Sequence, residues 1–502
     1  MSPLPLSGLS QDVAAGVPWV AGAILLLFVV AAAAMATRRL PALLALPLMA
    51  LGIGLVEIAA GRLTPEELTR TILAEGALRL ADPMVVILFG GILGVLLQRT
   101  GVAESIVRRG AEFAGDQPWV VALVMLALVA LLFTTITGLG ALIMVGTIVL
   151  PILASMGLRE PVCAGVLLFG VSLGGLLQPA NWTLYRTVLG MTDAQVLGYA
   201  VIVFAITALG AVAFVTIELH RARMLKVTWR AAVAVAAIGM LVVFGLLRGT
   251  GPAAADATGG PSALAVTLGL GLAALALGTC AVRLRRGATG AARVDAAGYL
   301  IPIVPLLLIL VHGVPFAAAF VAGLLYAFLV TWRPGAVNLF TRACLEGGQG
   351  VMPALVLMIG LGMLLNAILG GTTPRAGGWP VLADMQLLLG ALVPRGPVAY
   401  VLTFTLLAPL VLYRGPLNVW GLGYPIAGVL LAQGLPAAAI LAMLLSVGIM
   451  QGVSDPTNTA NVWVANEVRV DVNRLLFRTL PYTWAVALVG LVVAGTRAYA
   501  GA

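Results

Sequence analysis

Charged residues are scarce in this chain, and their scarcity excludes a soluble fold. Only 9% of the 502 residues are Asp, Glu, Lys or Arg, whereas 61% are hydrophobic and the mean hydropathy is +1.10. A soluble domain of this length needs more charge on its surface, so the solvent around this chain is lipid. Apolar runs of about 20 residues, enough to cross a bilayer as a helix, recur from Pro18 to Arg497. The first run, 18–36, leads into Arg38 and Arg39 without a small-residue cleavage site, which predicts a retained helix.

Histidine and cysteine are also rare, which argues against metal and nucleophile chemistry. The chain has two histidines, both at predicted helix ends, and three cysteines at unrelated positions in or beside apolar segments. The sequence contains no His, Cys, Asp and Glu cluster with the spacing of a metal site or a nucleophilic centre. These absences disfavour a membrane enzyme acting on a lipid-linked substrate and predict a protein that is not an enzyme and has no cofactor.

The apolar segments predict an all-α polytopic membrane protein with about 12 transmembrane segments. Two further stretches, 119–155 and 398–433, are too long for one helix and are interrupted at their centres, so each is predicted to form a re-entrant hairpin. Segments with more charge are predicted to lie along the membrane interface, at 63–80, 101–115, 335–348 and 376–392. The crossing segments are predicted at 18–36, 40–60, 83–98, 160–182, 193–218, 231–247, 262–282, 296–312, 314–332, 351–370, 435–460 and 479–496.

The placement of Lys and Arg predicts the orientation of these segments. Cytoplasmic loops of membrane proteins carry an excess of Lys and Arg. With the N-terminus outside, most of the 28 Lys and Arg residues fall in inner loops, and only Arg414 falls within the membrane. The sequence therefore predicts a multi-pass protein of the cytoplasmic (inner) membrane with its N-terminus outside. The net charge of +9 follows these loops and predicts no nucleic-acid partner.

Two parts of the chain, 134–181 and 411–458, repeat one pattern at a constant shift of 277 residues. Matches of glycine, proline and asparagine matter most because these residues restrict backbone shape. The matched pairs are Gly138 and Gly415, Gly146 and Gly423, Gly157 and Gly434, Gly175 and Gly452, Pro179 and Pro456, and Asn181 and Asn458. The helices ahead of the hairpins also match, at a shift of 270, with Pro83 on Pro353 and Gly90 on Gly360. In the predicted topology these helices run in opposite directions, which predicts an inverted repeat.

This repeat predicts three parts of the chain. Residues 1–218 form repeat 1, residues 219–294 form a connector with two helices, and residues 295–502 form repeat 2. Repeat 1 contains scaffold helices within 18–98, the hairpin 119–155, the broken helix 160–182 and the helix 193–218; repeat 2 contains scaffold helices within 296–370, the hairpin 398–433, the broken helix 435–460 and the helix 479–496.

The hairpin tips and the broken helices are rich in Gly, Pro, Thr and Asn. Inside a bilayer, non-helical backbone is tolerated where protein buries it or where it lines a wet cavity, and matched breaks in two halves indicate the binding site of a secondary transporter. Half-helix N-termini favour an anion, whereas freed carbonyls and side-chain oxygens suit Na⁺. The alternative is that Gly and Pro only mark kinks and close packing, while Ser and Thr bond to their own backbone. The predicted substrate-binding residues are Thr134, Thr135, Thr137, Gly138, Gln178, Asn181, Arg414, Gly415, Asn418 and Thr457, and the predicted Na⁺ or proton-coupling residues are Asn181, Asp455, Asn458 and Thr459.

Arg414 is the most informative single residue. A charge inside the membrane is expensive and marks a functional site by default. Its guanidinium offers planar, bidentate pairing with a carboxylate. The alternative is a permanent salt bridge with Asp455. Asp455 either takes up a proton, binds Na⁺ or neutralises Arg414, and the residues leave these three roles open.

A hairpin followed by a helix broken by a Pro-, Asn- and Thr-rich loop, in an inverted repeat, resembles the ion transporter superfamily. That group includes citrate, C4-dicarboxylate, gluconate and lactate permeases, and its dicarboxylate members have Ser-Asn-Thr at each tip. Here the tips read Thr134-Thr135-Ile136-Thr137 and Arg414-Gly415-Pro416-Leu417-Asn418, and the nearest counterpart of that motif is Thr457-Asn458-Thr459. The resemblance implies a homodimer, a scaffold and a transport unit in each subunit, and an elevator-like movement driven by Na⁺ or H⁺.

Together these features predict a secondary active transporter, a symporter, of a small organic anion, a carboxylate, coupled to H⁺ or Na⁺. Its partners would be the anion, the coupling cation, the lipid bilayer and a second copy of the chain. The alternative is a Na⁺/H⁺ antiporter in which Asp455 titrates and Arg414 is its structural partner.

Overall fold

The computed structural model describes residues 17–37, 39–224, 263–286, 294–371, 373, 375, 377–389 and 393–500. Over these ranges every regular element is a helix, and the chain is an all-α polytopic membrane protein, as predicted. The predicted crossing segment 231–247 and Arg38 lie outside the described residues.

We number the main helices in chain order. They are α1 Pro18–Ala36, α2 Ala42–Ala59, α3 Glu67–Glu75 (continued by Gly76–Leu78), α4 Ala81–Arg99, α5 Val102–Ala114, α6 Pro118–Phe133, α7 Leu139–Ser155, α8 Glu160–Leu176, α9 Pro179–Leu189, α10 Asp193–Arg221, α11 Ala263–Arg286, α12 Val304–His312, α13 Phe316–Val330, α14 Ala336–Leu369, α15 Pro380–Leu389, α16 Pro397–Leu407, α17 Tyr424–Ala432, α18 Ala437–Ser454, α19 Thr459–Glu467 and α20 Val472–Gly490, which continues through Leu491–Gly495 and Thr496–Ala500. Shorter turns lie at Ala296–Leu300, Ala408–Arg414 and Val419–Gly423.

Within the described ranges, nine helices are long and apolar enough to cross a membrane, or ten if the bent pair α8 and α9 forms one span. The sequence predicted about 12 spans. The predicted segment 296–312 is divided into the turn Ala296–Leu300 and the nine-residue α12, because Pro302 and Pro305 remove backbone donors there. The predicted segment 314–332 forms α13, which has only 15 residues.

Two predicted interface segments are continuous with crossing helices, which corrects the prediction of separate elements. Segment 63–80 joins α4 in one 33-residue run, Glu67–Arg99, and segment 335–348 is the first part of the 34-residue α14. The charged residues of 63–80 do not all lie at the membrane surface, because Arg79 lies inside the helix bundle and forms hydrogen bonds there. Its guanidinium donates to the side-chain oxygen of Asn366 and to the carbonyl of Gly370, 3.0 Å away.

The helices pack as two groups with the longest helix, α14, at the centre of the first. That group contains α1 to α4 and α11 to α15, and α14 packs directly on α2, α3 and α4. The second group contains α6 to α10 and α16 to α20, in which α8 packs on α6 and α18 packs on α20. The groups meet where α4 contacts α9 and where α14 contacts α17. Helices from both predicted repeats enter both groups, while the inverted repeat itself remains a prediction.

Glycine brings α14 into backbone contact with its neighbours. A Cβ added to Gly76 would lie 2.7 Å from the Cα of Met363, and one added to Gly347 would lie 2.5 Å from the Cα of Ile92. Gly76 thus contacts Met363, whereas the later residue Ile92 contacts the earlier residue Gly347. The run α3–α4 and α14 are therefore antiparallel, and this spacing leaves no room for a side chain between them.

A charged cluster ties the first group together. The Glu57 and Asp384 side chains are 0% exposed, and both accept hydrogen bonds from the guanidinium of Arg62, which is 15% exposed. The Asp384 carboxylate also accepts from the backbone N–H of Val17 at 2.7 Å. One cation thus serves two buried carboxylates on α2 and α15.

Replacing Arg62 by Met tests this cluster. The change leaves two buried carboxylates without their cation, and removing one partner of a buried ion pair costs about 3–5 kcal/mol. We expect a clearly lower melting temperature for Arg62→Met in detergent. Arg70→Met is the control, because Arg70 is 74% exposed and lies 3.9 Å from Glu66. Equal melting temperatures for the two variants would show that the cluster does not stabilise the fold.

Candidate functional site

All four predicted interruptions are present in the structure. Residues 134–138 separate α6 from α7, and residues 415–418 lie at the second hairpin tip. The first broken helix bends by 52° between α8 and α9, and the second stops at Ser454 and restarts at Thr459. Pro179 is the first residue of α9, a position where the missing N–H has no partner to lose.

The first tip turns at Gly138, whose φ of 93° suits glycine alone. The hydroxyl of Thr134 donates to the carbonyl of Leu131 at 2.7 Å, and the hydroxyl of Thr135 donates to the carbonyl of Leu132 at 3.4 Å. Both threonines are buried, so their hydroxyls serve their own turn. This matches the alternative in which threonine bonds to its own backbone.

The second tip is strained where the first is not. Tyr413 and Arg414 have φ values of 53° and 56°, in the left-handed region that non-glycine residues seldom adopt. Gly415 lets the chain fold back, because a Cβ there would lie 2.1 Å from the carbonyl oxygen of Leu410. Glycine at this position therefore allows the backbone of the tip to lie against the backbone at Leu410. The tip presents Arg414 with its side chain half-buried.

In each half, the residue before the proline of the broken helix holds the hairpin tip. Gln178 donates through Nε2 to the carbonyls of Phe133 and Ile136, at 3.2 and 3.0 Å. The shift of 277 residues places Asp455 at the same position of the second half. Its carboxylate accepts from the N–H of Tyr413 at 3.0 Å and from the side-chain amide of Asn418 at 3.3 Å. One tip is thus held by an amide donor and the other by a carboxylate acceptor.

Asparagine side chains donate hydrogen bonds to the backbone carbonyls that lose their helical partners at the breaks. Asn181 donates to the carbonyl of Gly175 at 2.7 Å, and Asn458 donates to the carbonyl of Gln451 at 3.2 Å. Asn461 donates to the carbonyl of Asp455 at 2.9 Å. These amides stabilise non-helical backbone at the bends, where a lipid environment offers no water as a partner.

Two adjoining cavities lie against these interruptions, between the two helix groups. The first has a volume of about 590 Å³ and is lined by residues of α4, α14, both hairpin tips and both broken helices. The second has a volume of about 870 Å³ and is lined by α1, α2, α14, the second tip and the second broken helix. They share the lining residues Pro353, Ala354, Trp420, Gln451, Asn458 and Thr459.

The two cavities differ in charge. No residue that lines the first cavity is charged. The second is lined by one cation, Arg414, and one carboxylate, Asp455. Among the residues that the structure describes, no carboxylate lies within 4.0 Å of the Arg414 guanidinium, so the salt bridge weighed from the sequence does not form here. Asp455 is 1% exposed and also accepts from the N–H and the hydroxyl of Thr457, at 2.9 and 2.7 Å.

Most of the predicted site residues line these cavities. Thr137, Gly138, Gln178 and Asn181 line the first; Arg414, Asn418, Asp455 and Thr457 line the second; Asn458 and Thr459 line both. Thr134, Thr135 and Gly415 line neither, because they are committed to the tip backbone. Of the four predicted coupling-ion residues, Asp455, Asn458 and Thr459 line the second cavity, whereas Asn181 lines only the first. Over the described ranges, the structure has no group of three or more His, Cys, Asp and Glu suited to a metal ion.

Several residues that line the cavities were not predicted from the sequence. Gln451 accepts from the N–H of Val419 at 2.8 Å and borders both cavities. Ser172 lines the first cavity with a buried hydroxyl that has no hydrogen-bond partner among the described residues. Tyr185 also lines the first cavity; it is buried, and its ring centroid lies 5.9 Å from that of Tyr424. Only Gln451 carried a signal, since it lies one helical turn before Asp455 and thus on the same face.

Comparison with solved structures gives a distant likeness. The chain is similar to the YdaH transporter of Alcanivorax borkumensis, whose crystal structure is described as revealing an unusual topology. The two chains are 17% identical over 84% of this chain and 85% of that chain, with a TM-score of 0.45. A likeness at this level carries no argument about fold or function. No protein-family model matches the chain, and no curated protein matches it.

Replacing Gln178 by Leu tests whether this side chain holds the first tip. The change leaves the carbonyls of Phe133 and Ile136 without their donor, so we expect faster amide hydrogen exchange in peptides covering 133–142. Gln98→Leu is the control, because Gln98 is an exposed residue at the end of α4. Unchanged exchange in Gln178→Leu would contradict the assignment.

Proposed function

We propose that the protein is a secondary active transporter of a small organic anion with a carboxylate group, coupled to H⁺ or Na⁺. One observation carries the proposal. Arg414 lines a cavity of about 870 Å³ inside a membrane protein and has no carboxylate partner among the described residues. A half-buried guanidinium within a membrane protein is costly without an anion, so an anionic ligand is the natural partner of this side chain.

The surroundings of Arg414 support an anion further. The N-terminus of α19 lies at the boundary of both cavities, where Thr459 is the first helical residue. Helix N-termini carry partial positive charge and free N–H groups, which favour a carboxylate. The adjoining uncharged cavity offers Gln178, Asn181 and Ser172 to neutral polar groups of a ligand.

The position of the cavities favours an elevator-type movement. Both cavities lie between the two helix groups, and the second cavity has α1, α2 and α14 on one side and the second hairpin on the other. A displacement of one group along the other would carry the hairpin tips and the bound anion together. A homodimer, as the family resemblance implies, would hold the first group still.

Asp455 is the proposed coupling residue. Its carboxylate holds the N–H of Tyr413 and the loop at Thr457, so a change in its charge would alter the tip that presents Arg414. Cation binding at Asp455 and anion binding at Arg414 would then strengthen each other, as linkage requires.

A Na⁺/H⁺ antiporter is the second candidate. It is favoured by one observation, which is that Asp455 is a buried carboxylate without an ion pair in the part of the chain described here. Proteoliposomes distinguish the candidates. Uptake of a labelled carboxylate under an imposed gradient supports the symporter, whereas Na⁺/H⁺ exchange without organic solute supports the antiporter.

Arg414→Lys tests bidentate anion binding. A Lys ammonium keeps the charge but loses the planar pair of N–H donors, so we expect affinity for the carboxylate to fall by about tenfold to a hundredfold. The substrate is first found by a thermal-shift screen of the purified protein against carboxylates, with and without Na⁺. Affinity is then measured by radioligand binding.

Arg474→Lys is the matched control for that experiment, because Arg474 is exposed and lines neither cavity. If Arg414→Lys binds the carboxylate as tightly as this control does, Arg414 is not the anion-binding residue.

Asp455→Asn tests coupling. The amide cannot take up a proton or carry negative charge, so we expect gradient-driven accumulation to be lost while exchange of labelled for unlabelled substrate persists. Asp471→Asn is the control, because Asp471 only caps the exposed start of α20. Full accumulation by Asp455→Asn would exclude it as the coupling residue.

A further inference from the structure

We propose that a shallow cleft at the ends of α4, α11 and α13 binds a phosphate group, presented by an anionic phospholipid of the surrounding bilayer. This site is separate from both cavities and does not depend on the proposed transport function. The residues lining it are Thr100, Val102, Arg283, Val294, Asp295, Gly298, Val330, Thr331 and Arg333.

Among the described residues that line the cleft, the charges leave one cation in excess. Arg283 is 12% exposed in its side chain and pairs with Asp295 at 2.7 Å. Arg333 donates one N–H to the carbonyl of Arg99 at 3.3 Å, and no carboxylate lies within 4.0 Å of it among the described residues. Among the described residues, most of the five N–H donors of Arg333 therefore have no acceptor, and a phosphate oxygen is the acceptor that a guanidinium fork suits best.

The neighbouring side chains do not cancel this excess. Arg99 is already paired with Glu346, and Arg108 is paired with Glu104 at 2.7 Å. Arg109 lies over the ring of Tyr299, 5.0 Å from its centroid, and adds a further positive charge beside the cleft.

Aromatic side chains place the cleft at the level of lipid headgroups. The ring of Phe328 packs on those of Trp332 and Phe340, at 5.1 and 5.4 Å, directly beside Arg333 in the chain. Helix α5, which starts at the cleft, exposes 92% of Phe113 while burying Val102, Ile106 and Val107. Aromatic belts and amphipathic helices of this kind lie at the membrane–water interface. The predicted topology puts this end of the helices on the cytoplasmic side.

The size of the cleft favours a lipid over a free phosphate compound. Its volume is about 10 Å³, which is room for about one oxygen atom or one water. A soluble ligand held by one oxygen would be bound weakly, whereas the acyl chains of a lipid supply the rest of the binding energy. The hydroxyls of Thr100 and Thr331 donate to the backbone carbonyls of Leu96 and Ala327, at 2.7 and 2.6 Å. Because these hydroxyl protons are already engaged, the phosphate would be held by guanidinium N–H groups.

The experiment measures lipid bound to the full-length protein in nonionic detergent, by native mass spectrometry with phosphatidylglycerol and phosphatidylcholine in equal amounts. We expect selective retention of phosphatidylglycerol by the unmodified protein. Arg333→Gln should lower that retention about fivefold, as expected for the loss of one cation at a membrane surface. Asp295→Asn should raise it, because the change adds one net positive charge to the cleft. A misfolded variant would not show this gain, so the gain separates an effect on the cleft from loss of the fold.

Arg108→Gln is the matched control, since Arg108 lies on α5, is 68% exposed and does not line the cleft. An equal loss in Arg108→Gln and Arg333→Gln would overturn the proposal, because it would show diffuse attraction. Equal retention of the two lipids would overturn it as well, since binding would then depend on the acyl chains alone. If millimolar inorganic phosphate displaces phosphatidylglycerol and itself raises the melting temperature through Arg333, the ligand is free phosphate and the lipid assignment fails.

Discussion

Backbone groups that leave a helix inside lipid must find partners within the protein, because the bilayer core offers no water. In this chain those partners are side-chain amides. Asn181, Asn458 and Asn461 each donate to a carbonyl six or seven residues earlier, across a break that proline or glycine creates. A buried carbonyl without such a donor costs several kcal/mol, so the bends depend on these amides. Two of these amides, on Asn181 and Asn458, also line the cavities.

The two halves use the same bend with opposite chemistry. Gln178 and Asp455 occupy equivalent positions, and both hold a hairpin tip, but one is a neutral donor and the other a charged acceptor. Charge is consequently confined to one of the two adjoining cavities. There, Arg414 lies on strained backbone, and Asp455 accepts a hydrogen bond from the N–H of the preceding residue, Tyr413. The interrupted segments thus border one neutral cavity and one cavity that contains both a cation and a carboxylate.

Local chemistry determined what could be predicted. Gly138, Pro179 and Asn181 restrict the backbone by themselves, so the position of each interruption was readable from the sequence, and the all-helical membrane fold followed from composition. The orientation of Thr134 and Thr135 was not readable, because a hydroxyl can serve a cavity or its own turn equally well. Tyr185 and Ser172 were missed because their exposure depends on helices distant in sequence. Arg79 looked like an interface charge for the same reason: its partners lie on α14.

The glycine contacts between α3–α4 and α14 have a mechanical consequence. At Gly76 and Gly347, main chain lies against main chain, so no rotamer change can absorb a sliding or rolling motion. These antiparallel helices should therefore move as one rigid unit. The two cavities, by contrast, separate this rigid unit from the hairpins. A large displacement of the hairpins would meet the least resistance along the cavities, and the rigid unit would stay in place.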